Sequence, residues 1–281
     1  MCCLFLAASS TVAIAQTSVV DLVNPIIGTN GMGHTFPGAC VPFGLVQLSP
    51  DTDTIPHNVD GKYQPRSYEY CAGYQHKDSS IVGFSHTHFS GTGHSDLGDI
   101  LIMPTTGTLK LNPGTATNPD GGYRSRFSHG TEISRPGYYE VMLADYGVKA
   151  QLTTTQRVGI HKYTYPTNSE NQRIILDMIH GIYNYDGKVL WTNIRVENDT
   201  LVTGYRITNG WARTNYTYFA MSFSKPITHY GCEEKAKVNY RGGYAKFNMK
   251  ENFPDIGGRK IVAYFDFDPK TSDELEVKVA L

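Results

Sequence analysis

The stretch TYFAMSF at residues 217–223 decides the fold of this chain, because its large apolar side chains recur at every second position. A β-strand points alternate side chains to the same face, so this stretch predicts a strand with one apolar face. The stretch LEVKVAL at residues 275–281 has the same pattern. The two faces predicted to enter the core consist of Thr217, Phe219, Met221 and Phe223, and of Leu275, Val277, Val279 and Leu281.

Short alternating runs of the same kind recur from residue 99 onward, and none has the period of an amphipathic helix. Turn signals such as Asn112-Pro113-Gly114 and Arg135-Pro136-Gly137 separate many of them. The further predicted strands cover residues 99–103, 138–145, 148–154, 157–165, 173–178, 188–196, 201–208 and 260–267. The sequence therefore predicts an all-β fold with few helices, organised as a large antiparallel β-sandwich.

The composition is that of a folded domain with a neutral partner. Hydrophobic residues make up 40% of the 281 residues and aromatic residues 12%, which is enough to bury a sizeable core. The 25 basic and 26 acidic residues nearly cancel, and no long block of like charge occurs. We therefore expect neither a nucleic-acid partner nor a membrane-binding surface.

Residues 1–15, MCCLFLAASSTVAIA, form a short apolar run that ends on the A-x-A pattern of a secretory signal peptide. The run is too short to span a bilayer. We therefore predict cleavage before Gln16, a mature domain of residues 16–281, and a periplasmic or extracellular location.

Residues 24–98 differ from the rest, because they are rich in Gly, Pro, His and Asp and contain only brief apolar runs. Long loops in compact domains are uncommon unless they bind or catalyse. This imbalance places the expected functional site in the first hundred residues.

The densest group of reactive side chains is GFSHTHFSGTGHSDLGD at residues 83–99. In an extended segment His86 and His88 would share a face, as would His94 and Asp96, which is a spacing that a metal site can use. The loop lacks the H-E-x-x-H signature and a cysteine pair, and no helix or Lys-Ser/Thr pair completes a phosphate loop. Nor does a nucleophile-elbow pattern surround Ser85 or Ser90.

Two other interpretations of this loop remain open. Imidazole, hydroxyl and carboxylate groups together with glycines suit a sugar or polyol ligand, because glycine lets the backbone approach the hydroxyl groups. Upstream, YEYCAGY at residues 68–74 places aromatic rings beside a turn, where a sugar ring could stack. The plainer alternative is a glycine-rich turn whose histidines bond to the backbone, with tyrosines that fill the core.

Five blocks of sequence, in this order, resemble the N-terminal domain of glycoside hydrolase family 92. The blocks are VDLVNPIIGT at residues 20–29, HTFPGA at 34–39, PFG at 42–44, SPDT at 49–52 and the loop at 83–99. The resemblance implies a β-sandwich of the supersandwich, galactose-mutarotase-like type. It also implies a bacterial, calcium-dependent exo-α-mannosidase that trims mannose-containing glycans with inversion.

In this family the two catalytic carboxylates and most calcium ligands belong to a helical-barrel domain, so the resemblance implies no catalytic or metal-binding residue in this chain. It implies instead that loops of the sandwich close over the sugar. The implied substrate-binding residues are His34, Tyr70, His86, His88, Ser90, Gly91, Thr92, Gly93 and Asp96. The last strand runs directly into Leu281, from which we expect the helical catalytic domain to be missing from this chain.

The leading hypothesis is therefore the substrate-covering part of a secreted α-mannosidase, inactive by itself. The alternative is a stand-alone secreted carbohydrate-binding module that uses the same loop without catalysis. A third hypothesis is a metal enzyme centred on His86, His88 and His94.

Overall fold

A computed structural model describes residues 18–236 and 252–281. The predicted signal peptide lies outside the described residues. Among the described residues no helix has both the length and the apolar character needed to cross a membrane. The described helices are short 3-10 helices of three to six residues, at Val19–Leu22, Pro65–Tyr70, Pro119–Gly121 and His129–Thr131.

In the described part of the chain, twenty strands form two main sheets and two small two-stranded sheets. In chain order they are β1 (Ala39–Cys40), β2 (Gln47–Asp51), β3 (Asn58–Val59), β4 (Lys62–Tyr63), β5 (Ser80–Ile81), β6 (Gly83–Ser85), β7 (Leu101–Thr105), β8 (Ser125–Arg126), β9 (Ile133–Arg135), β10 (Tyr138–Leu143), β11 (Val148–Thr154), β12 (Val158–Thr164), β13 (Gln172–Asp177), β14 (Val189–Asn198), β15 (Leu201–Thr208), β16 (Asn215–Phe223), β17 (Ile227–Glu234), β18 (Asp255–Gly258), β19 (Ile261–Phe267) and β20 (Glu274–Ala280).

The smaller sheet has the strand order β1-β2-β6-β7-β13-β19-β17, and the larger sheet has the order β18-β14-β15-β16-β20-β12-β11-β10-β9. The pairings in both sheets are antiparallel. The two small sheets pair β3 with β4 and β5 with β8. One continuous apolar core includes Phe84, Ile174 and Phe265 of the smaller sheet and Leu152 and Met221 of the larger. The prediction of an all-β antiparallel sandwich is confirmed.

The two stretches that decided the fold lie side by side, since β16 pairs with β20 in the register Met221 to Val279 and Phe223 to Val277. All four of these side chains are buried, Phe223 being the most accessible at 6%. Buried and more exposed side chains therefore alternate on both strands, and the apolar face is turned toward the smaller sheet. The other predicted strands also form, with ends that differ by at most two residues.

Residues 24–98 are less irregular than their composition predicts. They contain β1 to β6 and the 3-10 helix Pro65–Tyr70. Three of these strands, β1, β2 and β6, extend the smaller sheet from β7. Because β6 leads into the loop at residues 83–99 and β7 follows it, both ends of that loop are fixed to the same sheet.

Candidate functional site at the loop of residues 83–99

Backbone hydrogen bonds join the two arms of the loop. His86 N–H donates to the Asp99 carbonyl at 2.9 Å, and Gly98 N–H donates to the Thr87 carbonyl at 2.9 Å. Beyond these bonds, Ser90, Gly91, Gly93 and His94 are exposed to solvent. We call residues 90–95 the loop tip. The arms are thus part of the core and the tip is the accessible part.

His86 lies inside the core and joins the two sheets. Its Nδ1–H donates to the Ile100 carbonyl at 2.6 Å, so its Nε2 accepts from His161 Nε2–H at 3.0 Å. Tyr163 then donates its hydroxyl to His161 Nδ1 at 2.8 Å. This relay keeps both rings neutral. Burial lowers the pKa of His86 to about 4, and burial with the nearby His86 lowers the pKa of His161 well below its usual value.

His88 is also buried, and both of its ring nitrogens face acceptors, the Gln47 carbonyl at 2.7 Å and the Asp51 carboxylate at 2.9 Å. His180 Nε2–H donates to the other Asp51 oxygen at 2.8 Å. Burial alone raises the pKa of Asp51, but the attraction of His88 and the hydrogen bonds from His180 and His88 bring it below its usual value.

Asp99 closes the loop with a second buried ion pair. Its Oδ1 accepts from Arg206 Nε–H at 2.8 Å, and its Oδ2 accepts from the Thr87 hydroxyl at 2.8 Å. Arg206 is fully buried and also donates to the carbonyl oxygens of Met178 and His180. The carboxylates of Asp51 and Asp99 are therefore committed to the fold and are not available for proton transfer to a substrate.

Asp96 attaches a second loop to the first. It pairs with the nearly buried Lys188 and accepts from the Trp211 backbone N–H at 3.0 Å. A Cβ on Gly210 would lie 2.5 Å from an Asp96 oxygen, so only glycine lets this loop approach so closely. Burial raises the pKa of Asp96, but the Lys188 and Trp211 hydrogen bonds outweigh that effect and lower it.

An aromatic cluster lies against one side of the loop tip. Trp211 Nε1–H donates to His94 Nδ1 at 2.8 Å, and the Trp211 ring stacks on Phe89 with centroids 5.6 Å apart. Tyr183 lies 5.9 Å from the His94 ring and 4.1 Å from that of His57. The same His94 nitrogen also lies 2.9 Å from the Ser95 carbonyl oxygen. Trp211 is 57% exposed, so one ring face is open to a ligand.

The other side of the loop tip is formed by His34 and Tyr68. The His34 carbonyl accepts from Gly91 N–H at 2.6 Å. The His34 ring contacts the Tyr68 ring edge to face, with centroids 5.6 Å apart. A Cβ on Gly93 would lie 2.5 Å from the Tyr68 hydroxyl. Among the described residues, the buried His34 Nε2 has no hydrogen-bond partner. An unpaired buried nitrogen next to an exposed loop is available for a polar ligand.

The predicted site residues separate into two groups. Ser90, Gly91, Thr92 and Gly93 lie together at the tip beside His34, and whether they bind substrate stays a prediction. Tyr70, His86 and His88 are each at most 2% exposed, and whether they contact substrate also stays a prediction. The Tyr70 hydroxyl donates to Asp78, and Asp96 is occupied by Lys188 and Trp211.

Three aromatic residues at the tip were not predicted as site residues, namely Tyr68, Tyr183 and Trp211. Trp211 follows the turn signal Asn209-Gly210, and an exposed tryptophan after a turn is a signal that could have been used. The sequence placed Tyr68 in the same aromatic stretch as Tyr70 and did not distinguish the two residues. The structure distinguishes them, because Tyr68 is 38% exposed whereas Tyr70 is 2% exposed.

The histidines considered for a metal site do not converge. His86 bonds to His161, His88 to Asp51 and His94 to Trp211. Calcium prefers six to eight oxygen ligands. The described residues contain one group of three His, Cys, Asp or Glu side chains whose ligand atoms lie within 4.8 Å of one another, and two of its members are histidines. That group does not match the oxygen-ligand preference of calcium.

Comparison with known proteins gives a consistent result. Residues 22–281 match the Glycosyl hydrolase family 92 N-terminal domain. The family GH92 α-mannosidase BT3965 from Bacteroides thetaiotaomicron, solved in complex with mannoimidazole, is 41% identical and superposes with a TM-score of 0.80 over 93% of this chain. The GH92 inverting mannosidase BT2199 from the same species is 26% identical, with a TM-score of 0.70 over 94% of this chain.

A third relative is an uncharacterized secreted glycosidase from Arthroderma benhamiae, 28% identical over 170 residues and 57% of this chain. The chain spans 32% of the length of each of the two solved mannosidases and 19% of the secreted glycosidase. The match to the family covers nearly all described residues and both sheets. This chain belongs to glycosyl hydrolase family 92 and corresponds to the N-terminal β-sandwich domain of that family.

Proposed function

We propose that this chain is the substrate-covering domain of a secreted, calcium-dependent, inverting exo-α-mannosidase. The catalytic carboxylates would belong to a helical-barrel domain of the same parent protein. The observation that carries the proposal is the loop tip, an exposed group of donors and aromatic rings on arms fixed to the core. The proposal is further supported by membership of family 92 and by similarity to two solved mannosidases.

The absence of usable carboxylates in the loop supports a division of labour between domains. An inverting glycosidase needs one carboxylic acid to protonate the leaving oxygen and one carboxylate to activate water, about 6.5–9.5 Å apart. Asp51 is held by two histidines, and Asp96 and Asp99 are paired with Lys188 and Arg206. None of these three fits either role, and any calcium ion would be held mostly outside the described residues.

The loop tip has the chemistry to recognise a sugar. Ser90, Thr92 and the Nε2 atoms of His34 and His94 offer hydrogen bonds to hydroxyl groups. The exposed face of Trp211 offers an apolar surface on which a pyranose ring can stack. Because Asp96 and His94 both bind Trp211, the ring is held in place before a ligand arrives. We infer a role in binding and orienting a terminal mannose.

The test compares Trp211→Ala with Trp191→Ala in the full-length parent enzyme. Stacking on Trp211 would hold substrate and transition state equally, so its loss should raise KM about tenfold with little change in kcat. Trp191 is the matched control, because it is 41% exposed on β14 and lies outside the loop tip. Kinetics on an α-mannobioside give both constants.

Equal effects of the two tryptophan changes would contradict the proposed role of the tip. A second measurement separates the domain hypothesis from the stand-alone module. The purified chain, incubated with calcium and α-mannobiosides, should release no mannose and give no binding signal in calorimetry. Binding by the chain alone would favour a carbohydrate-binding module, and turnover by the chain alone would overturn the proposal.

A further inference from the structure

We infer that His76, His129 and Glu132 form a binding site for a divalent transition-metal ion, for which zinc is the best probe. One ligand atom from each residue lies within 4.8 Å of the others, and the two imidazole rings have centroids 3.9 Å apart. None of the three belongs to the loop of residues 83–99. The inference is independent of the proposed mannosidase function.

Backbone structure brings the three residues together from two distant segments. His76 lies in a turn closed by the bond from Asp78 N–H to the Gln75 carbonyl, and its own N–H donates to the Thr29 carbonyl at 2.9 Å. His129 begins the 3-10 helix His129–Thr131, and Glu132 follows that helix directly. The ligands are thus on short, hydrogen-bonded segments, which limits the rearrangement that a metal would require.

Glu132 is oriented in the way that metal-binding carboxylates usually are. Its two oxygens accept from the Tyr74 hydroxyl at 2.8 and 3.0 Å, and Oε1 also accepts from the Tyr139 hydroxyl at 2.6 Å. The Glu132 side chain is 3% exposed, while that of His129 is 37% exposed. Outer hydrogen bonds of this kind fix the direction of a ligand and raise metal affinity. A buried carboxylate therefore faces two imidazoles beside solvent.

The kinds of ligand select the class of metal. Imidazole nitrogen suits zinc, copper and nickel, whereas calcium and magnesium prefer oxygen alone. Ligand atoms around a tetrahedral zinc ion lie roughly 3.3 Å apart, given bonds of about 2.0–2.1 Å. His129 Nδ1 already lies 2.7 Å from Glu132 Oε2, so small side-chain rotations would complete the set. Three protein ligands leave a fourth position for water.

An ordinary ion pair between His129 and Glu132 does not explain the whole group. That pair needs no second imidazole, yet the His76 ring lies against His129. The contact of His76 Nδ1 with the Tyr74 hydroxyl is long, at 3.4 Å, and Tyr74 already donates to Glu132. A shared cation gives both rings a common partner.

The experiment titrates the EDTA-treated purified chain with zinc chloride in a calorimeter. We expect one zinc ion per chain, and binding at least about tenfold weaker in His76→Ala and in His129→Ala. His229→Ala is the matched control, because His229 is a similarly exposed histidine paired with Asp266. Zinc should also raise the Tm of the wild-type chain, since a ligand bound only by the folded state stabilises it.

The proposal is overturned if zinc binds equally to the wild type and to both variants, or binds to none of them. Glu132→Gln gives a further check, because it keeps a hydrogen-bond acceptor for the tyrosines but removes the charge, and it should weaken zinc binding. Circular dichroism of each variant without metal confirms that it folds. Cobalt added in place of zinc should give visible absorption bands in the wild type that both histidine variants lose.

Discussion

At the scale of single residues, His86 and His88 are buried and bond to other parts of the fold. His86 and His88 each donate to a backbone carbonyl, of Ile100 and Gln47. Their second partners differ. His86 meets the neutral His161, while His88 meets the carboxylate of Asp51. Histidines two positions apart thus bond to chemically different partners.

The buried pair of His86 and His161 predicts a loss of stability in acid. The folded-state pKa of His86 is about 4, below the unfolded value of about 6.5. The unfolded chain therefore binds more protons between these values, so stability is complete above pH 6.5 and declines as the pH falls toward 4. We expect the protonation of His86 alone to lower the free energy of unfolding by about 3 kcal/mol as the pH falls to 4. Urea unfolding at several pH values measures this loss.

His161→Gln tests the origin of this pH dependence. Glutamine keeps a donor for His86 Nε2 and an acceptor for Tyr163, but it does not titrate, so the loss of stability in acid should become smaller. His229→Ala, a change at a surface histidine, should keep the full wild-type dependence. An unchanged pH profile in His161→Gln would show that the buried relay is not its source.

At the scale of elements, buried charges join loops that come from different parts of the chain. Asp99 ties the loop of residues 83–99 to β15 through Arg206, and Asp96 ties the loop tip to the turn that carries Trp211. Removing one partner of a buried ion pair leaves the other charge buried without compensation. This lowers the stability of the fold by more than the intact pair adds to it.

Asp96→Asn should therefore lower the free energy of unfolding by about 2 kcal/mol, because Lys188 remains nearly buried without its anion. The measurement is equilibrium urea unfolding at pH 7. Asp186→Asn is the matched control, because it breaks a pair with Lys260 in which the Asp186 side chain is 93% exposed. That change should cost less than about 0.5 kcal/mol. Comparable losses in the two variants would contradict the structural role of the Asp96 pair.

At the scale of the whole molecule, two sheets share one apolar core, and the functional loop is an insertion between neighbouring strands of the smaller sheet. β20 lies in the middle of the larger sheet, between β16 and β12, so it contacts both halves of that sheet. The stability of the loop arms consequently depends on packing far from the tip.

Met221→Ala should lower the free energy of unfolding by about 3 kcal/mol, because it leaves a cavity where β16 meets β20 in the core. Lys278→Ala is the control on the partner strand, since its side chain is exposed, and it should stay within about 0.5 kcal/mol of the wild type. Urea unfolding followed by far-UV circular dichroism measures both. A small loss in Met221→Ala would mean that this junction is not part of a tightly packed core.

The sequence by itself determined ten of the twenty described strands and the two-layer class, because alternation with period two reports which face of a strand is buried. The ordered motifs determined the family. They also located the loop of residues 83–99. Only the tertiary structure decided which of its side chains are accessible. Their partners are distant in sequence, 117 residues from His94 to Trp211 and 129 from Asp51 to His180. No local pattern encodes such contacts, which arise only when the sheets and loops pack together.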